Sequence, residues 1–194
     1  MFKRLALLFI IPLLYNNSFA QPGRKIEYEQ VIKIPPGDSL LAVPVSIKNQ
    51  LSKFISPQKQ ITESGGGIHL FLTGADKTIT GNSSRWLAAR MQKDIYRIDL
   101  SVLVSKYIGE VEKNLEKIFS LAENKNWILF FDEADALFGK RTNVQDAHDK
   151  YANQEISYLL QRIEEYNGVV LLACNSDDCI RSCEQKRITK IATQ

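Results

Sequence analysis

The chain has 194 residues, 44% apolar and 24% charged, the composition of a single globular domain of ordinary size; a disordered chain, a collagen-like repeat and a multi-span membrane protein are excluded. With 25 basic and 22 acidic residues, the net charge of +3 is too small to point to nucleic acid, and none is expected as a partner. Three cysteines are too few for a disulfide scaffold.

Residues 1–20 have the three-part pattern of a secretory signal peptide. Lys3 and Arg4 make a basic start, Leu5 to Tyr15 an apolar run, and Ser18-Phe19-Ala20 a small-residue close. The run contains Pro12 and falls short of the about 20 residues a spanning helix needs, so no stable membrane span is expected. A cleaved leader implies a periplasmic or extracellular protein; an uncleaved one leaves it cytoplasmic. Residues 21–40 then form an N-terminal strand or arm, and residues 41–194 the main domain.

Partial alternation predicts a strand or extended arm from Arg24 to Ile34, stopped by Pro35-Pro36-Gly37. Apolar residues at 47, 51, 54 and 55 have helical spacing. Ser64-Gly65-Gly66-Gly67 is a turn, and Ile68 to Thr73 a buried strand. Ser84 to Gln92 reads as helix, Ile95 to Leu100 as a second strand, and Val111 to Ala122 as a helical stripe. Trp127 to Phe131 is a third strand, Asp149 to Glu165 a long helix, and Val169 to Cys174 a fourth strand. Short apolar strands alternating with amphipathic helices predict an α/β fold, a parallel sheet with both faces covered. In such sheets ligands bind beyond the carboxyl ends of the strands.

The third strand is followed by Asp132-Glu133-Ala134-Asp135. Acidic groups there suit a hydrated Mg²⁺ and a water-activating base; the alternative is a solvated acidic loop. The fourth strand is followed by Asn175, which could orient a water or contact a phosphate, or simply make a turn. After the first strand comes Gly74-Ala75-Asp76-Lys77-Thr78-Ile79-Thr80-Gly81. A phosphate-binding loop would read G-x-x-x-x-G-K-[ST] here. Gly74 fits its first position, but the Gly, Lys and Ser/Thr positions hold Ile79, Thr80 and Gly81.

From about Ile68 to Ile188 the chain resembles the AAA family of P-loop ATPases. Tyr96 to Glu110 is similar to the family's second strand and first pore loop, Trp127 to Arg141 to its Walker B strand and the turn after it, and Leu171 to Asn175 to its sensor-1 strand. The resemblance implies a three-layer P-loop NTPase-like domain with a parallel sheet. It also implies ATP and Mg²⁺ as cofactors, a polypeptide partner and a hexamer. Asp132 would hold Mg²⁺, Glu133 would polarise the attacking water, and Asn175 would be sensor 1. Lys106 and Tyr107 would grip a threaded polypeptide, or Tyr107 would be a packing or exposed aromatic. Arg187 would be an arginine finger, or an ordinary basic surface residue.

Three departures accompany the matches. The phosphate loop is rewritten in place: Ile79 resists the positive φ such a loop needs, Thr80 replaces the phosphate-binding Lys, and Gly81 replaces the Mg²⁺-binding hydroxyl. Losing one charge-assisted hydrogen bond costs about 1.5–3 kcal/mol, although Lys77 and Thr78 could offer a charge and a hydroxyl from a different geometry. The family's small helical lid is expected to be missing after Gln194. A cleaved leader would direct the protein away from ATP. The acidic pair could instead persist as structure, paired with Arg97 or Arg141. The expectations are a AAA ATPase-like domain with weak nucleotide binding, or an exported, catalytically inactive module that binds protein or serves a structural role, or the remnant of a longer gene. Cys174, Cys179 and Cys183 cluster. A disulfide between two of them, a metal site lacking a fourth ligand, and a core role for Cys174 all remain open.

Overall fold

The computed structural model of the protein describes residues 28–35, 41–55, 67–74, 76–107, 109–138, 147–175, 179 and 188–193, with backbone alone at 147–153. The leader-like segment 1–20 and Arg187 lie outside the described residues. In chain order the elements are β1 (Glu29–Ile32), α1 (Val45–Ser52), β2 (Ile68–Thr73), α2 (Lys77–Met91), β3 (Asp94–Asp99), α3 (Leu100–Lys106), α4 (Val111–Glu123), β4 (Trp127–Asp132), α5 (Asp135–Phe138), α6 (Ala147–Glu165), β5 (Val169–Cys174) and β6 (Thr189–Ala192).

One six-stranded sheet has the order β1-β3-β4-β5-β2-β6. Strands β2 to β6 run parallel, and β1 joins the β3 edge antiparallel, with Val31 opposite Tyr96. The arm preceding the main domain therefore contributes a strand to the same sheet.

Period-2 alternation sorts each strand onto two faces. In β4, Ile128 and Phe130 pack with Leu70, Leu72 and Leu171 against Ile47 and Leu51 of α1 and Trp86 and Leu87 of α2. Leu129 and Phe131 point the other way, with Phe71, Val170 and Leu172, into a core closed by α3, α4, α5 and α6. Helices on both faces of a mainly parallel sheet make the expected three-layer α/β architecture. No helix among the described residues is long and apolar enough to cross a membrane.

Candidate functional site

The carboxyl ends of β2, β4 and β5 bring together Gly74, Asp132 and Asn175, each the terminal residue of its strand or the one just after it. The loop after β2 is short. Helix α2 begins at Lys77, well before the helix that periodicity predicts from Ser84. Asp76 is the reason. It is the N-cap, in extended conformation, and its Oδ1 accepts from the backbone N–H groups of Thr78 (2.8 Å) and Ile79 (3.2 Å). The Asp76 carbonyl accepts from Thr80 N (3.1 Å) and Thr80 Oγ1 (3.2 Å). A capping carboxylate satisfies the orphan donors of the first turn and complements the helix dipole.

The sequence-predicted loop residues accordingly occupy helical turns. Thr78 lies in the first turn. Thr80 is buried, its hydroxyl 3.4 Å from Thr193 Oγ1. At Gly81 an added Cβ would meet nothing within 4 Å. Gly74 has a packing role: a Cβ there would lie 2.2 Å from Thr193 Oγ1, which donates to Thr73 O.

The acidic pair is engaged by two cations. Asp132 Oδ2 accepts from Arg97 Nε (2.8 Å) and Nη2 (2.5 Å), and Asp132 Oδ1 from Glu133 N (3.0 Å). Arg97 also reaches Asp99 Oδ2 at 3.7 Å; Asp99 and Asp132 are direct neighbours across the β3–β4 pair. Of the two arginines suggested by sequence, Arg97 makes the contact, and Arg141 lies outside the described residues. Glu133 sits at φ 55°, in the left-handed region. Its carboxylate forms an ion pair with Lys77, whose pKa is raised by that hydrogen bond and charge. Asn175 donates its backbone N–H to Asp135 Oδ2 (2.8 Å). The space bounded by Lys77, Thr80, Asp132, Glu133 and Asn175 holds about 10 Å³, room for a single water.

Lys106 and Tyr107, which the resemblance assigns to a pore loop, lie at the end of α3. Lys106 is its last residue, and Tyr107 its C-cap. Tyr107 packs edge-on against Tyr28, ring centres 4.9 Å apart, beside the α3–α6 core. The site residues to which the motif reading gives no role are Asp76 and Asp99; Asp135 reads only as part of the acidic run, without its partners Cys174 and Asn175. Asp76 carried a legible signal, an N-cap residue directly before a polar turn; Asp135 joins through tertiary contacts alone.

A family model described as "ATPase family associated with various cellular activities (AAA)" matches residues 74–193. The chain is 26% identical over 178 residues to the probable 26S proteasome regulatory subunit 10B of Caenorhabditis elegans, covering 87% of this chain and 42% of that protein. It is 35% identical over 100 residues to vacuolar protein sorting-associated protein 4B of Mus musculus, covering 48% and 22%. The crystal structure of the FIGL-1 AAA domain superposes with a TM-score of 0.61 at 22% identity, covering 86% of this chain and 58% of that one; the same domain is also known in complex with ADP. The chain thus spans less than half the length of the curated relatives named here.

Proposed function

The chain belongs to the AAA family of ATPases, and from that premise we propose that it is a AAA-fold module that engages a polypeptide partner without turning over ATP. The observation that carries the proposal is the Asp76 carboxylate on the N-terminus of α2. The N-terminus of the helix that follows β2 is where this architecture receives phosphate. Here a negative side chain already accepts those N–H groups, so a phosphate would have to displace it and would meet its charge.

The rest of the site agrees. The residues present do not fit magnesium and a triphosphate. No Lys stands at position 80 and no hydroxyl at position 81. Asp132, the expected metal ligand, accepts two hydrogen bonds from Arg97, and Glu133, the expected base, is held by Lys77. A gap of about 10 Å³ lies far below the 300 Å³ or so at which small-molecule sites begin. Charge neutralisation from within keeps the acidic pair as structure.

Handling of polypeptide is supported by the relatives' names, one a proteasome regulatory subunit and one associated with vacuolar protein sorting. Export under the leader-like segment would place the domain where ATP is not maintained; N-terminal sequencing of the cell-made protein tests that part, and an intact Met1 in a cytoplasmic fraction overturns it. Self-association as in the family's hexamers belongs to the same proposal, and sedimentation without nucleotide tests it. For the central claim the experiment is calorimetric titration of the folded chain with Mg²⁺-ATP, with Asp132→Ala as control. No binding is expected at millimolar nucleotide. Micromolar binding that Asp132→Ala weakens would overturn the proposal and assign the cation role to Lys77.

A further inference from the structure

Beside the blocked cleft, the end of β5 and the start of α5 bring three metal-ligand side chains together. Cys174 Sγ, Cys179 Sγ and a carboxylate oxygen of Asp135 all lie within 4.8 Å of one another. Both cysteines are buried, and they are joined as a disulfide with Cα atoms 6.5 Å apart. Asp135 Oδ1 sits 2.8 Å from Cys174 Sγ. A carboxylate oxygen that close to sulfur is attractive when the sulfur is a thiol that donates its proton, or when both atoms share a cation; disulfide sulfur has no proton to give. The contact therefore suits the reduced pair.

We propose that Asp135, Cys174 and Cys179 form a zinc site in the reduced protein, and that the disulfide is the oxidised, metal-free state of the same site. Two thiolates and a carboxylate are the donor set of a thiophilic, four-coordinate divalent ion, with water in the fourth position. Zinc–sulfur bonds of about 2.3 Å put two ligating sulfurs roughly 3.8 Å apart, inside the 4.8 Å within which all three ligand atoms lie. The orienting shell is present too: the Asn175 N–H holds Asp135 Oδ2 and leaves Oδ1 turned to the sulfur. The exchange balances. A thiol or phosphine reductant supplies two electrons, two protons complete the thiols, and zinc binding releases both protons. Cys174 and Cys179 alone lack a third protein ligand; the fold supplies Asp135 from 39 residues before Cys174.

The test titrates the full chain, reduced by a phosphine under argon, with Co²⁺ as a spectroscopic stand-in for zinc. One equivalent should develop a thiolate-to-cobalt charge-transfer band that Zn²⁺ abolishes, and the oxidised chain should develop none. Cys179→Ser should remove the band, and Asp135→Asn should weaken cobalt binding about tenfold or more, with circular dichroism confirming that each variant is folded. No band in the folded, fully reduced chain overturns the proposal. So does a band that survives Cys179→Ser, or one that depends on Cys183 and ignores Asp135→Asn.

Discussion

Asp76 decides the character of the candidate site through two hydrogen bonds. Its carboxylate holds the N–H groups of Thr78 and Ile79, so Asp76→Ala should lower the unfolding free energy by about 0.5–2 kcal/mol in urea titrations, with the denaturant slope unchanged. A change under about 0.3 kcal/mol would mean that the cap is not formed in solution. His69 gives a second residue-scale prediction. It is buried, its Nε2 lies 3.0 Å from Tyr166 O, and burial lowers its pKa from 6.5. The unfolded chain therefore takes up a proton just below pH 6.5 that the folded chain refuses. Stability should be full above that pH and fall as the pH drops toward the folded pKa, by at most about 1.4 kcal/mol per pH unit. Asp94, held low by Lys33, and Glu116, held low by Tyr158, add their losses only in the carboxylate range. Unfolding curves at pH 5–7 should flatten in His69→Gln; an unchanged slope would assign the effect elsewhere. The Asp76 cap is a local signal made with near neighbours, whereas the role of His69 rests on what packs around it.

At the scale of elements, α2 shows how local chemistry extends a helix beyond its apolar stripe. Residues 77–83 carry little helical periodicity (Lys, Thr, Ile, Thr, Gly, Asn, Ser), yet the Asp76 cap starts the helix at Lys77. Gly81 then lies in a helix interior, with open space where a Cβ would go. Gly81→Ala should stabilise the protein by about 0.5–1 kcal/mol in thermal or urea unfolding. Destabilisation would show that position 81 is not helical. The buried strands β2, β4 and β5 were legible as compact apolar runs, with bounds within a residue of the observed ones. Helix α3 was not, since its seven residues continue the apolar run of β3 and are too short to show a period. Strand β6 was not either: its four residues expose all but Ile191, so its strand character comes from pairing with β2.

Across the whole molecule, the central sheet separates two cores, and the candidate site sits where its parallel strands end. Phe131 is fully buried, 5.7 Å from the ring of Phe119, on the face covered by α3 to α6. Phe131→Ala should cost about 3–5 kcal/mol. Because β4 carries residues of both cores, the loss should appear as one cooperative transition in far-ultraviolet dichroism and in tryptophan fluorescence together. Two separated transitions would mean that the faces unfold independently. The same strand ends in Asp132, so stability at the sheet centre and geometry at the site are linked.

The amino-acid order by itself determined the strand–helix alternation, the acidic pair, the position of Asn175 just after a strand and the departures at Ile79, Thr80 and Gly81, since all of these are carried by near neighbours in the chain. Tertiary structure decided which partner each group takes. Arg97 meets Asp132 across 35 residues, Lys77 meets Glu133 across 56, and Asp135 meets Cys174 across 39. Such pairings depend on which strands lie side by side, and strand order is set by burial of the two faces of the sheet, a property of the whole chain that no local pattern encodes.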